Sequence, residues 1–171
     1  TTGGNNTAVG VDAMLLNTTG ADNTAIGIYA MDNNTTGAGN TGVGYNAGGW
    51  TTGAANTAVG ASALDANTTG ANNTAVGKDA GGAVTTGAQN TAVGMSAGAS
   101  ITDGTYSTYF GYGAGGANTA SQNVFLGGNA GGAGAGTGGT SVVIGADAGY
   151  SGNGAEDNVF VGFHAGLGIL T

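Results

Sequence analysis

Apolar and polar residues recur along this chain with a period close to 17 residues. In the commonest unit, Asn-Thr-Ala-Val-Gly-x-x-Ala, the residue before the Gly is always large and apolar, and the third residue after it is always Ala. Successive copies stand 16 to 18 residues apart, so ten copies fill the chain and leave no room for a linker. The ten repeat glycines are Gly10, Gly27, Gly44, Gly60, Gly77, Gly94, Gly111, Gly127, Gly145 and Gly162.

A polar residue stands four positions before each of these glycines. It is Asn in eight copies and Ser in the other two. Amide side chains stacked above one another can form a hydrogen-bonded ladder, which favours parallel coils in register. The first six residues of this position are Asn6, Asn23, Asn40, Asn56, Asn73 and Asn90.

The three residues between the Asn and the Gly predict a short strand. Thr, Ala and Val alternate with the period of two that a strand imposes, and β-branched residues fit a pleated strand. The Gly supplies a positive φ or a close backbone approach at a corner, and the constant Ala after it indicates a wall too near for a larger side chain. We therefore predict an all-β fold, a parallel β-solenoid (β-roll) of ten coils with about 17 residues per coil. Residues 1–171 form a single array about 48 Å long, and its inward residues are expected to be mostly Val, Ala and Thr.

The copies differ between the two parts of the array. Residues 1–98 hold the regular coils, and residues 99–171 hold divergent coils that are richer in aromatic residues. The residue two positions before the Gly is Ala or Gly as far as Ala92, but later it is always larger. Beyond about residue 105 the strands are apolar on both faces, which predicts that both faces are buried. A wider core, a loop that folds back or contact between subunits could each provide the cover. The candidate contact residues are Trp50, Tyr109, Phe125, Phe160 and Phe163.

Composition and charge exclude several classes of protein. One Lys, no Arg and nine acidic residues give a net charge of −8, which excludes a nucleic-acid reader because such a protein needs a basic surface. The absence of Cys excludes a disulfide scaffold and a Cys-based zinc site. Apolar runs of only a few residues predict no membrane-spanning segment. We expect no cofactor and no metal, and because Thr1 lies inside the repeat pattern, we expect the array to belong to a longer protein.

One string matches a catalytic motif. Gly94-Met95-Ser96-Ala97-Gly98 has the form Gly-x-Ser-x-Gly, whose serine needs a strand-to-helix turn and a nearby His and acid. His164 is the only His, and in a solenoid it stands four coils from Ser96, about 19 Å along the axis. Because no proton transfer crosses that gap, we predict that the chain is not an enzyme.

The repeat unit is clearest in the segments Asn6–Ala13, Asn23–Ala30, Asn56–Ala63, Asn73–Ala80 and Asn90–Ala97. It resembles the head repeat of YadA-like trimeric autotransporter adhesins, and it is similar to arrays in phage tail fibres and other long surface fibres. The resemblance covers the array and implies left-handed parallel β-rolls that associate as trimers and bind host surfaces.

Three functions are compatible with these features. The first is a non-enzymatic fibre or adhesin shaft on a cell or virion surface, which associates as a homotrimer and attaches to a host-surface or glycan receptor by many weak contacts. The second is an extracellular filament whose subunits join end to end. The third is an ice-binding solenoid, in which columns of Thr and Asn order water. For this third function, the recurring Thr-Thr-Gly segments are expected to place only one Thr of each pair on a given face. These segments end after Thr86.

Overall fold

The computed structural model describes residues 2–49, 52–132, 139–150 and 157–168. Within these ranges the chain forms ten strands of three residues each, and all ten belong to one sheet in chain order. The predicted all-β solenoid is confirmed. The strands are β1 (Thr7–Val9), β2 (Thr24–Ile26), β3 (Thr41–Val43), β4 (Thr57–Val59), β5 (Thr74–Val76), β6 (Thr91–Val93), β7 (Thr108–Phe110), β8 (Val124–Leu126), β9 (Val142–Ile144) and β10 (Val159–Val161).

Each strand pairs in parallel with the strands before and after it in the chain, without any shift of register. Thr57 lies beside Thr74, and Val59 lies beside Val76. One repeat therefore makes one coil, with a rise of about 4.8 Å. Residues at the same repeat position therefore stack into a column along the axis of the molecule.

The orientation of the strands differs from the expectation that Val and Thr point inward. The middle residue of the strand faces the interior, and Ala25, Ala58 and Ala75 are buried. The Thr before it and the Val or Ile after it point to the outside, as the exposed Val9 and Ile26 show. A second alanine, three positions after the glycine, lines the other side of the interior. Ala30 and Ala63 of this second column are also fully buried.

The ten repeat glycines turn the chain at the end of each strand, and we call them the corner glycines. Their φ angles lie between 129° and 138°, a region that side chains rarely adopt. A Cβ placed on Gly94 would lie 2.5 Å from the carbonyl oxygen of Gly111 in the next coil. Both predicted reasons for glycine, the positive φ and the close backbone approach, therefore apply at the same corner.

The predicted asparagine ladder is present and buried. The Asn73 side chain donates from Nδ2 to the carbonyl oxygen of Gly87 at 2.8 Å, and its Oδ1 accepts from the backbone N–H of Asn90 at 3.0 Å. The rungs thus join a side chain to the backbone of the next coil. Ser107 continues the ladder, because its Oγ accepts from the N–H of Asn123 at 3.1 Å. Every coil is tied to the next by buried polar contacts that a shift of register would break.

In several coils the core is filled by a size exchange between two positions, the strand centre and the fourth residue after the corner glycine. Where the strand centre is Ala25, the second position is Met31, and both are buried. Where the strand centre is Tyr109, the second position is Gly115, and a Cβ there would lie 2.1 Å from Cδ1 of the Tyr109 ring. The same exchange pairs Ala58 with Leu64, Phe125 with Gly131 and Val143 with Gly149. In the fifth and sixth coils both positions are small, and the buried side chains of Val84 and Ile101 lie beside them instead.

The divergent coils therefore have a wider range of core residues, not an outer cover over their strand centres. Tyr109 and Phe125 are buried and meet edge to face, with ring centroids 5.5 Å apart. The Tyr109 hydroxyl donates to Oδ1 of Asn118 at 3.0 Å, and burial raises the pKa of that hydroxyl. The predicted covering of the outer face is wrong for the single chain, since Phe110 and Val124 are exposed, and contact between subunits stays a prediction.

Candidate interaction surface

Two exposed columns flank the corner glycines and form an apolar stripe along the array. The stripe consists of the residue before and the residue after each corner glycine. None of these side chains is buried, and most are large and apolar. The first column is Val9, Ile26, Val43, Val59, Val76, Val93, Phe110, Leu126, Ile144 and Val161, and the second is Val11, Ile28, Tyr45, Ala61, Lys78, Met95, Tyr112, Gly128, Ala146 and Phe163.

The stripe is least covered in the last coil. Val161 exposes 65% and Phe163 exposes 71% of its surface. Lys78 is the one charged member of the stripe, and its Nζ lies 2.5 Å from a carboxylate oxygen of the neighbouring Asp79. Nine stacking intervals of about 4.8 Å and a width of about 10 Å give a patch of about 400 Å², within the range of the largest apolar patch of a soluble monomer, which is often functional.

The structure separates the five candidate contact residues. Tyr109 and Phe125 cannot touch a partner because they lie in the core, so those two predictions are wrong. Phe160 is half-buried and packs against the same core. Phe163 lies in the apolar stripe and is exposed. Trp50 lies outside the described residues.

Most of the stripe was not predicted, although the alternation of the strand carries a signal for it. In Thr-Ala-Val the Ala is the inner residue, and because side chains alternate along a strand, the Val after it must point outward. The β-branched outer residues suit a strand on either face, and for that reason composition alone left the direction open. Val76 and Phe110 are therefore surface residues, although their residue types are typical of a core.

The second residue after the corner glycine forms a polar column with left-handed backbone. Asp147 and His164 have φ angles of 52° and 57°. Asn129 donates from Nδ2 to Asp147 at 3.0 Å, and Nε2 of His164 lies 3.7 Å from the other Asp147 oxygen. Ser96 stands in the same column four coils earlier, about 19 Å away by the coil rise. The column thus keeps the serine of the Gly-x-Ser-x-Gly string apart from the histidine.

Carboxylates are spread along the array. Burial, and then the nearby Asp79, raise the pKa of Asp65 above its usual value. Across residues 2–49, 52–132, 139–150 and 157–168, no three His, Cys, Asp or Glu side chains lie close enough to hold a metal ion together. The acidic side chains therefore offer scattered negative charge and no ligand cluster in this part of the chain.

Three Asn-x-Thr sequences in the array match the acceptor pattern for N-linked glycans. Their asparagines, Asn17, Asn34 and Asn67, are buried. Asn67 donates to the carbonyl oxygen of Gly70 at 3.0 Å and accepts from the N–H of the same residue at 2.9 Å. In the folded chain these amides close a turn and are not open to modification.

The surface has to be interpreted from its own geometry. No protein-family model matches the chain, and searches of the curated proteins and of the solved structures find no match either. Within the described ranges, no helix is long and apolar enough to span a membrane. The features that bear on function are therefore the stacked coils and the columns that they expose.

Proposed function

We propose that this chain is a non-enzymatic segment of a structural fibre or adhesin shaft, exposed on a cell or virion surface. The observation that carries the proposal is the apolar stripe, which runs along all ten coils of an in-register array. A stripe of this extent, parallel to the axis, allows copies of the chain to lie side by side over their whole length. The resemblance to trimeric adhesin heads favours three copies with their stripes turned toward one another.

The physical basis of the association is burial of apolar area. Val9, Ile28, Phe110 and Phe163 leave large apolar surfaces in water, and removing such area from water is the main driving force of protein association. The chain carries few charges to oppose contact between copies, since charged residues are 6% of the composition. Lys78 of the stripe is paired with Asp79 of the neighbouring polar column, which neutralises its charge.

The attachment function follows from repetition. Surface positions recur at each coil, so any weak contact with a host-surface or glycan receptor is repeated along the shaft and adds to avidity. Tyr29 and Tyr45 are exposed on adjacent coils and meet edge to face, with ring centroids 6.0 Å apart. Exposed tyrosines of this kind can stack on sugar rings and still bond to water.

The experiment is a mass measurement by light scattering on the intact chain, with charge substitutions in the stripe. We expect a single species near three times 15.8 kDa. Val76→Glu and Val161→Glu should dissociate it, because an unpaired carboxylate is costly to bury in an apolar interface. Ala38→Glu is the matched control, since Ala38 is exposed outside the stripe.

Each other result would lead to a different conclusion about the assembly. A monomer at all concentrations would refute the shaft proposal. Particles of open-ended mass that lengthen with concentration would indicate the alternative, a filament built end to end. Dissociation by Ala38→Glu as well as by Val76→Glu would mean that the stripe is not the contact.

A further inference from the structure

A second ordered surface lies on another part of the coil, between the polar column and the asparagine ladder. It is formed by the Thr-Thr pairs that precede a glycine in the first coils of the array, at Gly20, Gly37, Gly53, Gly70 and Gly87, and we call it the threonine row. The two columns of the row occupy the same place in successive coils. Its described members are Thr2, Thr18, Thr19, Thr35, Thr36, Thr52, Thr68, Thr69, Thr85 and Thr86, and Thr102 follows in the first column.

The row is more complete than the sequence indicated. Both members of the pairs Thr18–Thr19 and Thr68–Thr69 are exposed, so neither Thr of a pair is lost to the interior. The first column continues beyond Thr86 to Thr102, whereas the second column changes to Asp103, so the paired row ends at Thr86. The Asn columns, in contrast, are buried in the ladder and take no part in the surface.

The hydroxyl groups of the first column are fixed by the coil above or below. Oγ1 of Thr18 donates to the carbonyl oxygen of Thr35 at 2.8 Å, and Oγ1 of Thr68 donates to that of Thr85 at 2.9 Å. The backbone N–H groups of Thr68 and Thr69 donate to the same carbonyl of Thr85. Each hydroxyl therefore has a set rotamer, and its remaining lone pair is directed away from the protein backbone that it bonds.

The result is a rigid and uncharged grid. Hydroxyl and methyl groups repeat every coil, about 4.8 Å, over about 19 Å between the coils of Thr18 and Thr85. No acidic or basic side chain belongs to the two columns between Thr18 and Thr86. A charged group would hold its own hydration shell, whereas a grid of fixed hydroxyls and methyls can hold water molecules at a repeated spacing.

We propose that the threonine row binds ice. Ice is itself a lattice of hydrogen-bonding oxygens, with a repeat along one axis close to the coil spacing, so the ligand and the surface share a period. Each contact is weak, but the row presents at least nine threonines at once, and simultaneous engagement adds their contributions. The proposal is independent of the shaft, because the row and the apolar stripe occupy different parts of the coil.

The test is thermal hysteresis with ice as the probe, measured on the intact chain at millimolar concentration together with the shape of the growing crystals. We expect a gap between melting and freezing and faceted crystals. Thr69→Lys in the middle of the row should lower the gap at least about fivefold, because one long charged side chain keeps the neighbouring threonines from the ice plane. Ala38→Lys is the control and should leave the gap unchanged.

Circular dichroism and light scattering on the same samples keep the test separate from folding and association. Both variants should retain the wild-type spectrum and mass. No hysteresis in the wild-type chain would overturn the proposal. An equal loss of hysteresis in both variants would overturn it as well. Binding of the row to a linear polysaccharide without an effect on ice would also overturn it.

Discussion

The size exchange in the core can be tested by moving it from one coil to another. In the second coil the strand centre is Ala25, the exchange position is Met31, and Asn34 follows three residues later. In the seventh coil Tyr109 and Gly115 take the first two places, and Asn118 takes the third. The double substitution Tyr109→Ala with Gly115→Met would therefore give the seventh coil the three core residues of the second.

The structure gives the size of each effect. Tyr109→Ala alone should cost about 3–5 kcal/mol, because a buried aromatic ring leaves a cavity. Gly115→Met alone should cost about 2–4 kcal/mol, because the new side chain overlaps the Tyr109 ring and must adopt a left-handed backbone. Met31 adopts that same backbone, with a φ of 52°. The double variant should lie only about 2–3 kcal/mol below wild type, which requires a favourable coupling of at least about 2 kcal/mol.

The assay is urea unfolding of the wild type, both single variants and the double variant, followed by circular dichroism. Gly128→Ala replaces Gly115→Met in a control cycle, because nothing lies within 4 Å of a Cβ at Gly128. That control should combine with Tyr109→Ala additively. The explanation fails if the double variant is as unstable as the sum of its parts, since the two positions would then not share one space.

Three further changes test the ladder, the corners and the half-buried carboxylate of Asp65. Asn73→Ala should lower the free energy of unfolding by about 2–6 kcal/mol, because a buried N–H and a buried carbonyl both lose their partner. Asn73→Ser should lose about half as much, because Ser107 fills the same place naturally. Equal losses for the two variants in urea unfolding would contradict this. Gly94→Ala should cost about 3 kcal/mol or more through strain and overlap, against about 0.5 kcal/mol or less for Gly128→Ala; similar melting temperatures would refute the corner argument. Asp65→Asn should raise the melting temperature at pH 7, because a raised pKa means that stability is complete below about pH 3.9 and is lost as the pH rises through the folded pKa. The gain should disappear at pH 3, Asp12→Asn should show less of it, and a gain that is independent of pH would point to another cause.

The candidate surface could be predicted only in part. Phe163 was expected to be a contact residue and is exposed, but Tyr109 and Phe125 were expected there as well and are buried. Aromatic residue type does not distinguish the two cases, because a ring suits a core and an interface equally. The small partner does distinguish them, since Gly115 and Gly131 each leave the space that a neighbouring ring fills.

The period, the corners and the ladder were determined by the sequence alone, because each depends on one residue type at one spacing. A glycine is needed wherever φ is strongly positive and another coil approaches, so its recurrence marks the turn of every coil. An Asn such as Asn73 can bond both a donor and an acceptor of the next coil, so its recurrence fixes the register.

The direction of the side chains was decided by the tertiary structure. A strand of three residues presents two faces, and Thr-Ala-Val places a β-branched residue on one face and Ala on the other, so hydrophobicity favours the wrong side. Only the packing of the coil, in which Ala58, Ala63 and Leu64 are all buried, shows that Ala58 is the inner residue and Val59 the outer one. The apolar stripe follows from that packing, because a strand centre that faces the interior leaves the residues on either side of it outside.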